Sequence, residues 1–342
     1  MKQKVLVTGI NGYIGTQLGQ VLLERNYNVV GMDTGFYSSG NLYNGIKKEP
    51  KVIYKDIRNI TEKDLEGFDA IIHLAELSND PLGQINPQVT YDINYHGTMG
   101  MAKKAKRVGI KKFIYSSSCS VYGASDKIAS ETSPTNPLTP YAKSKVLNEK
   151  ALSEIADSNF SPTFLRNATA YGPSPRMRFD LAINNLCGLA WTTQKIAMES
   201  DGTPWRPFVH VLDICEAAIC ALEAPMENVH NEIFNVGDTH ANYQIKDIAQ
   251  SISRVMPKCE ITLNKNSVDK RNYRVDFTKI NSRLPGFSCK RTVKSGIKEL
   301  LDLFKKIDLQ KDTFLSKDYT RLKQIEYLKK MNEIDNKLFW KK

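Results

Sequence analysis

Lys4-Val5-Leu6-Val7-Thr8-Gly9-Ile10-Asn11-Gly12-Tyr13-Ile14-Gly15 stands near the start of the chain and decides how the rest is read. A short apolar run ends in glycines spaced GxxGxxG, and Leu18, Val21, Leu22 and Leu23 follow at helical spacing. A glycine triplet alone is weak, because turns use glycine anyway; between a strand and a helix it gains a physical purpose. Gly9 permits the tight turn, Gly12 lets the backbone approach a diphosphate, and Gly15 lets the helix pack closely on the sheet. The helix start at Tyr13 and Ile14 offers free N–H groups and a positive dipole end to phosphate oxygens.

Working outward, Asn28–Met32 reads as a second strand with Asp33 at its end, placed to bind a ribose 2′-hydroxyl. A carboxylate there repels a 2′-phosphate, and Thr34-Gly35-Phe36-Tyr37 supplies no arginine to offset it, so NAD is expected over NADP. Further strands are expected at Val52–Tyr54, ending at Asp56, at Ala70–Leu74, Lys112–Tyr115, Pro162–Leu165 and Phe208–Val211. Helices are expected over Asn94–Val108 and Tyr141–Ile155. Short apolar strands alternating with helices predict an α/β fold: a Rossmann-type doubly wound parallel sheet with both faces buried. Residues 1–167 form the expected dinucleotide-binding domain, with a returning segment near 207–238. Residues 168–206 and 239–342 form a smaller substrate-binding region, mainly helical in its last part, with strand signals near Ile261 and Arg274. Near the end, Leu322, Ile325, Leu328 and Met331 make a helical stripe whose plain explanation is packing.

Composition narrows the class. The 342 residues are 41% hydrophobic and 25% charged, ordinary for a globular protein with a sizeable core. No run approaches the ~20 apolar residues of a membrane helix, and the N-terminus lacks a secretory pattern. The six cysteines are scattered without metal-ligand or CxxC spacing, so reduced thiols in a cytoplasmic protein, without a metal, are expected. The net charge of +11 is spread among dispersed lysines with no aromatic-interleaved basic block, which argues against a nucleic-acid or membrane partner.

Tyr141 and Lys145 stand four residues apart on a predicted helix and share one face. A phenol with a pKa near ~10 is a poor base at neutral pH, and lowering it to ~7 takes roughly 4 kcal/mol of preference for the phenolate. A neighbouring ammonium and a positive nicotinamide ring are expected to supply it in a desolvated cleft. Tyr141 then removes a hydroxyl proton while the same carbon gives a hydride to NAD. YxxxK is common by chance. Ser116-Ser117-Ser118 raises its weight, because it stands at the carboxyl end of the fifth strand, the edge where open α/β sheets bind ligands.

These residues resemble the extended short-chain dehydrogenase/reductases, the NAD-dependent epimerase/dehydratase family. The matching pieces are TGINGYIG (8–15), Asp33, Asp56-Ile57-Arg58, HLA (73–75), NYHGT (94–98), YSSSCSVYG (115–123), YAKSK (141–145), AYGP (170–173) and RPFVHVLD (206–213). The resemblance covers roughly the first two thirds of the chain. It implies that Ser118 hydrogen-bonds the reacting oxygen, that Tyr141 is the acid/base, and that Lys145 holds the nicotinamide ribose and biases the tyrosine. Asp56 and Ile57 would flank the adenine, Leu74, Ala75 and Ser116 would line the cofactor, and Asn94 would shape the floor beside it. Asn185 and Arg206 would hold a nucleotide diphosphate, with Arg271 and Arg274 as weaker candidates; a guanidinium suits phosphate oxygens. A homodimer is implied as well.

Departures from the family pattern narrow the activity. Dehydratases of the family carry acidic residues just after the catalytic serine or threonine; here Cys119 and Ser120 stand there, which disfavours dehydration. Glu76 follows His73-Leu74-Ala75 where relatives often have a small residue; Glu76 and Asp80 are candidates to face the sugar, or simply loop charges. Thr169 occupies a place where relatives often carry asparagine, with Asn167 two places earlier and Arg176 and Arg178 close by. His210 is expected to make a structural hydrogen bond in the core. The leading expectation is an epimerase that transiently oxidises a sugar hydroxyl, most often at C4, of a nucleotide-linked sugar and returns the hydride. A dehydrogenase or ketoreductase with net redox change is the alternative, and a non-catalytic dinucleotide sensor is disfavoured because Tyr141 and Lys145 are both present.

Overall fold

The computed structural model describes residues 3–264 and 271–341. Its centre is a sheet of β1 (Lys4–Thr8), β2 (Asn28–Asp33), β3 (Lys51–Tyr54), β4 (Ala70–His73), β5 (Lys112–Ser118), β6 (Ser161–Asn167) and β7 (Glu232–Val236). The order is β7-β6-β5-β4-β1-β2-β3, and every pairing is parallel. The chain winds one way from β1 to β3 and the other way from β4, so β1 and β4 flank the switch point where a ligand crevice opens.

Helices cover both faces, which is why β4 and β6 are buried along their whole length. On one side, Leu18 and Leu22 of the helix Tyr13–Glu24 share a core with Ile214 and Ile219 of the helix Val211–Glu223. On the other, Met101, Ala102 and Leu152 pack with Phe113 and Phe160. A third core, including Phe179, Phe208, Ile248 and Phe304, belongs to the part that overhangs the carboxyl edge of the sheet.

Three expectations change. The strand expected at Phe208–Val211 is Trp205–His210, and it does not join the central sheet. It pairs with Thr169–Tyr171 and Asn242–Gln244, while Glu232–Val236 returns to pair with β6. The helix expected from Asn94 begins as a π-helical turn, Asp92–Gly97, before the α-helix Thr98–Arg107. There Asn94 is fully buried and bonds both the N–H and the carbonyl of Leu77, at 2.8 and 3.2 Å. In the C-terminal helix Arg321–Lys330, Ile325 and Leu328 are buried but Met331 is exposed. The buried face is completed by Arg321 and Gln324 instead.

Candidate active site

The glycine turn is built as its spacing requires. Gly9 has φ +71°, and its N–H bonds the Met32 carbonyl at 2.7 Å, so the turn is pinned to the end of β2. A side chain on Gly15 would collide with the Gly9 carbonyl, which is how closely helix and turn approach. Gly12 caps the helix Tyr13–Glu24, and among the described residues no side chain caps its first N–H groups. They open onto a cleft of about 890 Å³ that runs from the glycine turn to Arg206 and Arg271. Asp33 lines it and accepts the N–H of Asn11 at 3.0 Å and of Gly35 at 2.8 Å. Burial raises its pKa, against those two N–H groups and the nearby Arg321 and Arg176. Those cations reach Asp33 from remote sequence, a feature the local stretch Thr34–Tyr37 did not reveal. Asp56 and Ile57 line the same end, where Asp56 takes two hydrogen bonds from the Arg58 guanidinium, at 2.9 and 2.6 Å.

At the other end of the sheet's edge, Thr139 caps the helix Pro140–Glu154 by accepting the Ala142 N–H, and Pro140 fits the first turn. The helix presents Tyr141 and Lys145 to the cleft beside Ser116 and Ser118. Lys145 donates to the Ser116 carbonyl and lies 5.5 Å from the centre of the Tyr141 ring. Its ammonium also lies 2.6 Å from a Glu76 carboxylate oxygen. Glu76 lines the cleft too, but its carboxylate is engaged from the protein side: its side chain is 2% exposed and accepts from Tyr115 Oη at 2.7 Å. The pairing offsets part of the cost of burying both charges, but burial still dominates and pushes the Glu76 carboxyl above its ordinary pKa against the pull of Lys145.

The ammonium of this pair does not by itself lower the tyrosine pKa. Within the chain's own environment the Tyr141 phenol is pushed up, first by burial and then by Glu76 and Asp80, while Ser118 and Arg178 pull it down. Lys145 is largely spoken for by Glu76. The expected fall toward neutrality therefore has to come from a charge that the protein itself does not supply.

The remaining candidates divide. Asn185, Arg206, Arg271 and Thr169 all line the cleft. Asn185 is fixed through the Phe179 carbonyl at 2.8 Å. Arg206 is buried and its guanidinium carbon lies 5.4 Å from the centre of the Tyr273 ring. Arg271 pairs with Asp80 at 2.7 Å. Arg274 is not among the lining residues; it stacks on Trp205 and donates to the Asp126 carbonyl, because the strand Asn272–Val275 turns it outward. Asn94 acts from beneath the cleft, through Leu77. Cys119 points away, its thiol donating to the Arg166 carbonyl at 3.1 Å, so the side chain that faces the cleft after Ser118 is Ser120. His210 caps the helix Val211–Glu223 through the Leu212 N–H.

Two cleft residues carry more weight than their sequence context suggested. Arg178 is buried, forks onto Asp180 at 2.9 Å from two nitrogens, and reaches Ser78. Arg321 belongs to no local motif. The available signal was spacing: Arg321, Gln324, Ile325 and Leu328 follow the i, i+3, i+4, i+7 pattern, so two polar residues belonged to the inward face.

The profile of the NAD dependent epimerase/dehydratase family matches residues 5–237. The chain belongs to this family. NAD is its cofactor, and the cleft fits it: an uncapped helix start behind a glycine turn, with the half-buried Asp33 carboxylate beside it. Among relatives, the UDP-glucose 4-epimerase of Bacillus subtilis (strain 168) is 27% identical over 284 residues, covering 74% of this chain and 82% of that protein. Protein CapI of Staphylococcus aureus is 27% identical over 350 residues, covering 96% of this chain and all of its own. Among solved structures, a UDP-glucuronic acid 4-epimerase from Bacillus cereus, in complex with UDP-glucuronic acid and NAD, superposes with a TM-score of 0.78. It is 27% identical and covers 89% of this chain and 99% of its own. An NDP-hexosamine 5,6-dehydratase of tunicamycin biosynthesis has a TM-score of 0.80 at 23% identity, covering 90% of this chain and 100% of its own, a likeness of fold alone. Among the described residues no helix is long and apolar enough to cross a membrane.

Proposed function

We propose that this enzyme is a nucleotide-sugar 4-epimerase. The observation that carries the reading is one continuous cleft, with Ser118, Tyr141 and Lys145 between a dinucleotide seat and the guanidinium groups of Arg206 and Arg271. A nucleoside diphosphate held by Arg206 would leave its sugar beside Tyr141. Tyr141, as phenolate, takes the proton of the 4-hydroxyl, and Ser118 holds the oxygen as it becomes a carbonyl. NAD, held by the glycine turn and Asp33, would supply a hydride acceptor for the oxidation and a donor for the return. After the keto sugar presents its other face, Tyr141 gives the proton back, so no net redox change results. Named UDP-sugar 4-epimerases among the relatives support this reading. So does Ser120, where a dehydratase would place an acid facing the cleft.

The test is incubation with UDP-, GDP-, CDP- and dTDP-sugars, reading NADH absorbance and product NMR together. A C4-inverted sugar without accumulated NADH is expected. Stoichiometric NADH would replace the reading with a dehydrogenase, and a 4-keto-6-deoxy product would replace it with a dehydratase.

A further inference from the structure

The cofactor cleft receives a side chain from the far C-terminus, beyond the residues matched by the family profile. The stretch 317–340 lies against the segment that follows Asp33. Gln324 donates to the Phe36 carbonyl at 3.0 Å, Trp340 Nε1 to the Thr34 carbonyl at 2.7 Å, and Ser39 to Asp318 at 2.7 Å. Ile325, Leu328, Ile334 and Leu338 are buried in the same core as Met32 and Phe36. The docking is thus both apolar and polar, and it fixes this stretch relative to the dinucleotide seat.

Arg321 opens the helix of that stretch. It is 4% exposed, its guanidinium carbon lies 3.9 Å from the centre of the Tyr37 ring, and it lines the cleft with Gly12, Gly15 and Asp33. Burial draws its pKa down to about 10, so it stays charged at neutral pH. The neighbouring carboxylates are already engaged: Asp180 is forked by Arg178, and Asp33 takes two backbone N–H groups. Among the described residues Arg321 itself shows a ring contact but no hydrogen bond or ion pair. A buried guanidinium without an acceptor is costly, and one that borders a cleft calls for an anion there.

We propose that Arg321 binds the cofactor, donating its guanidinium hydrogens to the diphosphate of NAD, so that the C-terminal stretch forms a wall of the dinucleotide site. The proposal rests on the NAD assignment of this cleft. A charge-assisted contact of this kind changes affinity by about 10- to 100-fold.

The test is fluorescence titration of the full-length, nucleotide-free protein with NADH, alongside calorimetric titration with ADP-ribose, adenosine and NADPH. Arg321→Met keeps the stem on Tyr37 and removes the charge. It should weaken NADH and ADP-ribose by the same 10- to 100-fold, leave adenosine unchanged, and keep the melting temperature of the free protein. NADH affinity within about twofold of wild type would overturn the proposal. So would a loss confined to NADPH, which would place the guanidinium at the ribose 2′ position. Should Arg321→Met not fold, Arg321→Gln is read by the same two criteria. A wild-type protein that binds no NADH would sink the NAD assignment rather than this one.

Discussion

Two buried ion pairs hang from one helix, a single turn apart, and they do different things. Glu149 receives the Arg166 guanidinium at 3.0 and 2.6 Å and the Ser117 hydroxyl at 2.5 Å, while Arg166 also reaches Tyr122 Oη at 2.9 Å. Four residues earlier, Lys145 faces Glu76, Ser116 and the Tyr141 ring. Both pairs are almost fully withdrawn from water. The Arg166 pair is closed by bidentate geometry and has nothing left to offer a ligand. The Lys145 pair borders the cleft, and its charges set the environment of the Tyr141 hydroxyl. One pair clamps the helix to β5 and β6 so that the other can be held at a fixed place on their carboxyl edge.

The largest effect separates chemistry from scaffold. Tyr141→Phe removes the proposed acid/base and should lower turnover by about 10²- to 10⁴-fold. NADH affinity and thermal midpoint should stay near wild type. Retained turnover would mean that another group moves the proton. On the scaffold side, Glu149→Gln leaves the Arg166 charge buried without its partner and should cost about 3–5 kcal/mol in denaturant unfolding. The double variant Glu149→Met/Arg166→Met should recover much of that loss, because a pair removed together leaves no orphaned charge. A double variant as unstable as the single one would show that packing, not charge, holds the helix there.

The contrast also marks what the sequence could show. The glycine turn, Asp33, the serine run and Tyr141/Lys145 were legible because each is a local pattern, tied to one strand end or one helical turn. The central strands followed from short apolar runs. Glu149–Arg166 and Glu76–Lys145 were not legible as pairs, because their partners come together only when β4, β5, β6 and one helix assemble. Arg274 misled for the opposite reason: an arginine near a substrate region looks like a ligand until its strand turns it toward Trp205. Arg321 was hidden by distance, almost three hundred residues from Asp33.

A middle-sized effect tests the far end of the cleft. Arg206→Ala should raise the KM for the nucleotide sugar and weaken the free nucleoside diphosphate by about 10- to 100-fold, as expected for losing a charge-assisted contact. Turnover at saturation should change little, since a diphosphate grip by Arg206 would be common to ground and transition states. Unchanged diphosphate affinity would remove Arg206 from the site and leave Arg271 and Arg178 as its cations.

The smallest effect bears most directly on the comparison. If the Lys145 pair is tuned rather than merely buried, Glu76→Gln should move a titration in addition to the stability lost by leaving the buried Lys145 ammonium without its carboxylate. Glu76 is the leading charged group that raises the Tyr141 pKa, behind burial itself, with Asp80 acting in the same direction. Removing a negative charge makes the phenolate less costly, so the phenol pKa falls. Sugar oxidation requires the phenolate, so activity rises with pH through that pKa, and this rising limb should move to lower pH. One pH unit corresponds to about 1.4 kcal/mol, and the expected displacement is about one unit or less. Glutamine keeps an oxygen able to accept the Tyr115 hydroxyl, so the packing changes little. The measurement is kcat against pH for both proteins, with melting curves as control. A rising limb that stays in place while the melting temperature falls would make Glu76 another clamp like Glu149, and the two ion pairs would then differ in position but not in kind.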